Sequence, residues 1–332
     1  MVRLPTDLLV ANATAHAASG DWSGVRQLLA QHHPVALHNS ELATLRAEAD
    51  LRTGRPAEAH EWLGAVLPLL ERSQNRRSLR AALNLRGVAE LELGRLDEAE
   101  LTFGRVIELA RCDGDELLIA RALNNLGALS DMRDRYDEAL ANYERAIPSY
   151  QRLGSARGLA ETHHNVAISL RHQRRFEQAD DHERRAIAYA SDAQSPALEC
   201  LARLGVAEIA VLTGDAALAE AIAHHTARRF ADLDDPIREA DAFRVMGAAC
   251  LLQHKLEGAR QAVDRALELA IAHDAKLLEA EVRRLHADLL WHLGDRLAAG
   301  REAEQAALLF ESAGACVRAQ EARAPKPETS SE

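Results

Sequence analysis

The segments Gly94-Arg-Leu-Asp-Glu-Ala99 and Asp134-Arg-Tyr-Asp-Glu-Ala139 are nearly identical and begin 40 residues apart. Further steps of 40 residues in both directions reach related segments, each with an alanine at its sixth position. The aligned alanines are Ala59, Ala99, Ala139, Ala179, Ala219, Ala259 and Ala299. An eighth segment of this kind, Gly20-Asp-Trp-Ser-Gly-Val25, precedes them by 34 residues. Self-similarity at a fixed period of this length predicts a repeat protein of about eight units.

A second series of small residues lies seven positions before each of these segments. Its members are Ala13, Ala47, Gly87, Gly127, Ala167, Ala207, Gly247 and Ala287. In several units the aligned alanine is followed four residues later by a larger side chain, such as Phe103 or Tyr143. Small residues on two helices joined by a turn allow the helices to cross closely. Each unit is therefore predicted to be a helix-turn-helix hairpin.

The junctions between units also carry turn signals. Ser195-Pro196 and Asp235-Pro236 place a helix-capping residue before a proline, which is favourable at the first position of a helix. Turn-forming residues recur at the junctions with the same 40-residue step: Gly114, Gly154, Gln194, Asp234, Asp274 and Gly314. Helices of roughly 14 to 18 residues fit between these breaks, which is longer than the globular average.

The repeat resembles the tetratricopeptide repeat (TPR). The clearest matches to its pattern are Leu126-Gly127 with Ala139 and Tyr143, and Gly87 with Ala99 and Phe103. The 40-residue step is similar to the long-helix variety in kinesin light chains and Pins-type scaffolds. The resemblance implies an all-α fold, a right-handed TPR superhelix (α-solenoid) of about eight repeats within a single domain at 1–316. The expected repeats are 6–34, 40–74, 78–113, 116–153, 156–193, 196–233, 236–273 and 276–313, followed by a capping helix stub and disordered polar tail at 317–332.

In this family the first helix of each unit lines the concave face, and helical spacing predicts which side chains lie there. Asparagine can pair with an extended peptide backbone, and arginine can hold a carboxylate with two parallel bonds. Leucines further along the chain would contact apolar anchors. The candidate contacts are Asn84, Arg121, Asn124, Asn125, His164, Asn165, Arg171, Leu204, Arg244, Leu251, Arg284 and Trp291. The expected partner is a protein or peptide that carries acidic and apolar side chains.

Composition excludes several other classes of function. The net charge of −11 and the pI near 5.8 disfavour nucleic-acid binding, which needs clustered positive surface. The four cysteines lie far apart without metal-ligand spacing, and we interpret them as reduced packing residues. The N-terminal stretch lacks the apolar core of a secretion signal, and no segment has the length of a membrane helix. The sequence predicts a cytoplasmic location.

The chain contains no motif for catalysis or cofactor binding. It has no phosphate loop, dinucleotide fingerprint or nucleophile elbow. Adjacent histidines such as His163-His164 point about 100° apart on a helix and do not chelate one ion readily. His60-Glu61 resembles half of a metalloprotease motif but lacks the second histidine, so we interpret both as surface residues. We expect a non-enzymatic protein without a cofactor or a metal.

Three hypotheses for function remain open. The first is a protein-interaction scaffold that binds a peptide or helical segment of a partner in its concave groove. The second is a peptide-sensing regulatory module that acts on a separate effector protein, because no segment here would form a DNA-binding domain. The third is that the chain forms weak homo-oligomers through an apolar patch made by the candidate leucines and does not remain a monomer.

Overall fold

The computed structural model describes residues 5–73 and 75–324, and all regular secondary structure in this part of the chain is α-helix. The all-α prediction is confirmed. Most consecutive helices pack against one another, as expected of an α-solenoid. No helix among the described residues combines the length and apolarity that crossing a membrane requires.

Contacts between Cα atoms divide the chain into two compact units, Met1–Leu129 and Ser130–Glu332. Unit 1 contains α1 (Thr6–Ala18), α2 (Trp22–Gln31), α3 (His33–His38), α4 (Ser40–Arg52), α5 (Pro56–Ser73), α6 (Arg76–Glu92), α7 (Leu96–Asp113) and most of α8 (Glu116–Met132). The short α3 is an addition to the hairpin pattern.

Unit 2 begins with the last turn of α8 and contains ten further helices. They are α9 (Tyr136–Arg152), α10 (Ala156–His172), α11 (Phe176–Asp192), α12 (Pro196–Thr213), α13 (Ala216–Asp232), α14 (Pro236–Leu252), α15 (Leu256–Ala272), α16 (Lys276–His292), α17 (Arg296–Ser312) and α18 (Cys316–Arg323). Ala315, Ala319 and Ala322 of the α18 segment pack on Phe310 of α17. The polar tail expected after α18 lies outside the described residues.

A residue with left-handed backbone conformation stands at every twentieth position from 94 to 314. Glycines occupy six of these positions, and the other six are Asp134, Arg174, Gln194, Asp234, His254 and Asp274, with φ between 50° and 60°. A left-handed residue ends a helix by redirecting the chain, although it costs about 1–2 kcal/mol for a residue with a Cβ atom. Each 40-residue repeat is therefore two helices of nearly equal length, each closed by the same turn.

The helices of a hairpin cross at the small residues that the sequence identifies. A Cβ atom on Gly87 of α6 would lie 2.6 Å from Cε1 of Phe103 in α7. A Cβ atom on Gly247 of α14 would lie 3.2 Å from Cγ2 of Val263 in α15. Phe103 and Val263 are fully buried, so a side chain on Gly87 would collide with the Phe103 ring, and a side chain on Gly247 would require Val263 to move slightly.

First helices of successive hairpins also contact one another. These contacts join α4 to α6 in unit 1, and α10 to α12, α12 to α14 and α14 to α16 in unit 2. Among the described residues, the second helices make no comparable set of contacts with each other. We call the first helices of the successive hairpins in unit 1 or unit 2 the inner layer of that unit.

The cysteines differ from the expectation in part. All four are free, and Cys200 and Cys250 are buried in helix packing. Cys112 and Cys316 are exposed, so these two are not packing residues. Cys112 lies next to the last residue of α7, and Cys316 is the first residue of α18.

Gly87→Ala tests the close crossing of α6 and α7. The added methyl group collides with the buried Phe103 ring, so we expect a loss of about 1–3 kcal/mol in the free energy of unfolding, measured from the urea midpoint. Gly64→Ala in α5 is the matched control, because nothing lies within 4 Å of its added Cβ atom and helix propensity favours alanine by about 0.5–1 kcal/mol. A Gly87→Ala variant as stable as Gly64→Ala would contradict this packing.

Candidate functional site

The inner layer of unit 2 is lined by paired charges. The guanidinium groups of Arg171 in α10 and Arg244 in α14 both pair with the carboxylate of Glu208 in α12. Further along, Arg318 Nη1 of α18 lies 3.8 Å from Glu281 Oε1 of α16. Positive and negative side chains thus alternate from one inner helix to the next, with ion pairs that join α10, α12 and α14 and a further pair that joins α16 and α18.

The last helix of unit 2 returns to the turn at the beginning of the unit. Arg318 Nε lies 3.2 Å from Asp134 Oδ1, and its Nη2 donates to the carbonyl oxygen of Met132 at 3.3 Å. The backbone N–H of Val317 donates to Asp134 Oδ2 at 3.0 Å. Ala315, which precedes α18, has no side-chain acceptor, so Asp134 supplies the acceptor at the start of this helix. The Asp134 side chain is only 2% exposed.

We call this set of six residues the charge ring; its members are Asp134, Arg171, Glu208, Arg244, Glu281 and Arg318. Successive members are 37, 37, 36, 37 and 37 residues apart, and their charges alternate in sign. The interval is shorter than the 40-residue repeat by about one helical turn of 3.6 residues. Each contact therefore lies one turn closer to the helix N-terminus than the contact before it, which lets the series cross the inner layer diagonally.

The ring holds its central carboxylate in the ionised form. Burial opposes ionisation of Glu208, but Arg171 and Arg244 outweigh it and lower the pKa of Glu208 to about 2. Burial likewise opposes ionisation of Glu281, and Arg284, Arg244 and Arg318 together lower its pKa. These carboxylates remain negative at neutral pH and orient the guanidinium groups. A carboxylate from a ligand would meet the same preorganised arginines.

A buried acid stands beside the ring at the end of α8. Ser169 Oγ donates to Asp131 Oδ1 at 2.6 Å, and Tyr143 Oη donates to Asp131 Oδ2 at 2.7 Å. Burial raises the pKa of Asp131 to about 6, and the two hydroxyl donors offset only part of this effect. This network fixes the end of α8 from which the Asp134 turn departs.

A family model and several solved structures are similar to this chain. Residues 118–192 match the family model described as tetratricopeptide repeat. These residues form tetratricopeptide repeats, as the sequence predicts. A search among curated proteins finds no significant sequence match. The likeness to kinesin light chains and Pins-type scaffolds stays a prediction.

Several solved structures share the fold of this chain at low identity. A Rap protein complexed with competence and sporulation factor has 13% identity and a TM-score of 0.65 over 96% of this chain and 95% of its own. The Rap conjugation gene regulator of plasmid pLS20, in complex with the Phr* peptide, has 16% identity and a TM-score of 0.60, covering 97% and 94%. A signal transduction ATPase with a tetratricopeptide repeat sensor from Pyrococcus horikoshii has 16% identity and a TM-score of 0.58, covering 87% of this chain and 44% of its own.

Two of the predicted contact residues, Arg171 and Arg244, belong to the charge ring. Four ring members, Asp134, Glu208, Glu281 and Arg318, were not among the predicted contacts. The 37-residue interval of alternating charges is the sequence signal for them, but it is offset from the 40-residue alanine register that guided the prediction.

Two other predicted contacts are wrong, because their side chains lie between helices. His164 Nδ1 of α10 is 3.0 Å from both carboxylate oxygens of Glu183, which is fully buried in α11. Leu204 of α12 is 1% exposed and packs in a cluster with Ala223 and Phe230 of α13. Both positions share the 40-residue register of Arg244, whose side chain instead pairs with Glu208 of the neighbouring inner helix. The repeat register therefore does not determine orientation by itself.

The remaining predicted contacts of unit 2 differ in their surroundings. Asn165 is half-buried on α10. Leu251 is also half-buried and packs against a cluster that includes Val263. Arg284 is exposed, with its Nη2 2.9 Å from Glu281 Oε2, and the Trp291 ring lies 4.9 Å below the Arg296 guanidinium.

The predicted contacts of unit 1 lie on α6 and α8. Asn125 Nδ2 donates to Asn84 Oδ1 at 3.5 Å, so the two amides meet across successive inner helices. Asn124 is buried, and Arg121 is exposed. Whether these residues contact a ligand stays a prediction.

Asp134→Asn tests the attachment of α18 to the α8–α9 turn. Asparagine tolerates the left-handed backbone but loses the charge that pairs with Arg318. We expect faster hydrogen exchange at the Val317 amide, by about tenfold, because its acceptor is weakened. Asp234→Asn is the matched control, since Asp234 has the same left-handed backbone but is exposed. Equal exchange at Val317 in both variants would contradict the attachment.

Proposed function

We propose that this protein is a non-enzymatic interaction scaffold that binds a peptide or helical segment of a partner protein on the inner layer of unit 2. The observation that carries the proposal is the charge ring. Its arginines are held in fixed positions by carboxylates, and their side chains remain between 12% and 17% exposed. Such preorganised guanidinium groups favour a ligand that brings its own carboxylates.

Apolar side chains beside the ring fit the same ligand. Leu212 and Leu252 end the inner helices α12 and α14, and they are 51% and 49% exposed. Both leucines directly follow positions on the register of Arg171, so they lie at the same end of the inner layer. A peptide with an acidic residue and a nearby apolar residue would occupy both features.

The comparisons support this proposal at the level of the fold. The regulator of plasmid pLS20 is complexed with the Phr* peptide, and its structure covers most of this chain. At 16% identity the likeness concerns the fold, so the choice of ligand rests on the charge ring. The proposed mode of binding uses polar and apolar side chains of stacked helices to hold an extended or helical segment.

A random-peptide library selected on the immobilised full chain tests the proposal. We expect the selected peptides to combine acidic and apolar residues. The double variant Arg171→Gln/Glu208→Gln should weaken their binding by about tenfold, because it removes a preorganised cation while leaving the net charge unchanged. Fluorescence anisotropy of individual labelled peptides measures the dissociation constant.

The matched control is Arg203→Gln/Glu199→Gln, which removes another arginine–glutamate pair from α12. Arg203 Nη2 and Glu199 Oε1 lie 2.7 Å apart, and the arginine is 46% exposed. This control should bind as tightly as the unaltered chain. Failure to select any peptide, or equal loss in both double variants, would refute binding at the charge ring.

A second candidate function is a peptide-sensing regulatory module that acts on a separate effector protein. The attachment of α18 to Asp134 favours it, because the two ends of this contact are 183 and 184 residues apart in the chain. Small changes in the angle between successive hairpins add up over that distance. A ligand bound to the ring would therefore act on the Arg318–Asp134 contact.

The Val317 amide reports whether a ligand changes this contact. A sensor should show altered hydrogen exchange at Val317 when a selected peptide is added, by about tenfold in either direction. The amide of Leu218 in α13, which donates to Asp215 Oδ1 at 3.2 Å, is the internal reference and should not change. If a peptide binds and hydrogen exchange at Val317 is unaltered, the sensor hypothesis is excluded and the scaffold hypothesis is retained.

A further inference from the structure

A cluster of three side chains in unit 1 has the composition of a metal site. His60 of α5, Glu90 of α6 and Glu98 of α7 each bring one potential ligand atom within 4.8 Å of the others. His60 Nε2 lies 3.7 Å from Glu90 Oε1. The three residues come from consecutive helices, so the fold itself brings them together.

The preceding repeat shows what normally stands in this position. Its equivalent residues are Arg26 of α2, Asp50 of α4 and Glu58 of α5, which are 34, 40 and 40 residues earlier than the cluster. Arg26 Nε lies 3.2 Å from Asp50 Oδ1, and Arg26 Nη2 donates to Glu58 Oε2 at 3.2 Å. The Arg26 guanidinium therefore lies between the two carboxylates of the earlier repeat and donates a hydrogen bond to Glu58, although Arg26 Nε and Asp50 Oδ1 are, among the described residues, also buried without a hydrogen-bond partner.

The imidazole of His60 does not replace that guanidinium. Within the described residues, His60 Nε2 and Glu90 Oε2 are buried atoms without a hydrogen-bond partner. Arg86 Nε occupies the other carboxylate oxygen, Glu90 Oε1, at 2.7 Å. The Glu90 side chain is 1% exposed, and a buried polar atom left unpaired costs about 1–3 kcal/mol.

We propose that His60, Glu90 and Glu98 bind a divalent transition-metal ion, for which Zn²⁺ is the best fit. One imidazole nitrogen and two carboxylate oxygens are ligands that Zn²⁺ accepts, and three protein ligands leave a fourth position for water. The imidazole favours Zn²⁺ over Mg²⁺ and Ca²⁺, which prefer oxygen ligands alone. Glu98 is 54% exposed, so its carboxylate is able to turn toward the ion. The ion supplies the positive charge that Arg26 supplies one repeat earlier.

Isothermal titration calorimetry, in which Zn²⁺ is added to the chelator-treated full chain, tests the site. We expect one equivalent of Zn²⁺ to bind and His60→Arg to weaken binding at least about tenfold. His60→Arg restores the residue type of the preceding repeat, so the fold should be retained, which circular dichroism checks. Glu98→Gln should weaken binding as well, because it removes a ligand from an exposed position.

His225→Arg is the matched control, because it removes an exposed histidine on α13 by the same substitution. This variant should bind Zn²⁺ like the unaltered chain. Co²⁺ used as a second probe should give an absorption spectrum of nitrogen and oxygen ligation without a thiolate charge-transfer band. No binding at one equivalent, binding retained in His60→Arg, or a thiolate band would each overturn the proposal.

Discussion

The left-handed turn at every twentieth residue is the constraint on which the rest of the structure depends. It makes the helices from α6 to α17 nearly equal in length, and it therefore places equivalent residues of successive repeats at equivalent heights. Six of the twelve turns from 94 to 314 use a residue with a side chain, which is energetically less favourable than glycine. The remaining structure tolerates that cost because both helices of each hairpin are held by close packing, as at Gly87 against Phe103.

Regular turns allow small offsets between repeats to become long-range contacts. The charge ring uses an interval about one helical turn shorter than the repeat, so the series crosses the inner layer diagonally and joins neighbouring inner helices at Arg171, Glu208 and Arg244. Such pairs would contribute little on an open surface, where ion pairs are worth about 0–1 kcal/mol. Between inner helices they are partly desolvated and share partners, as Glu208 does with Arg171 and Arg244. The result is a polar surface with a defined arrangement of charges.

The repeat also provides its own comparison for unusual residues. A position that holds Arg26 in one repeat holds His60 in the next, while the two carboxylates around it are retained as glutamate or aspartate. The two repeats share their backbone geometry. They therefore differ at this position in one respect, because His60 lacks the fixed charge and most of the hydrogen-bond donors of Arg26. Asp50 and Glu90 are both buried, so bulk water does not reach Glu90 Oε2, the carboxylate oxygen that Arg86 leaves without a partner among the described residues.

The amino-acid sequence by itself determined the all-α class, the hairpin repeat, the turn positions and the close helix crossings. These features depend on local propensity and on periodic small residues, which a single chain displays directly. It also placed Arg171 and Arg244 on first helices, and their contact with a ligand stays a prediction. It misplaced His164 and Leu204, because residues in one register meet different neighbours when the partner helix offers Glu183 or Phe230. Only the tertiary structure decided the Arg318–Asp134 contact and the His60, Glu90 and Glu98 cluster, since both join separate helices through side-chain geometry that no local pattern specifies.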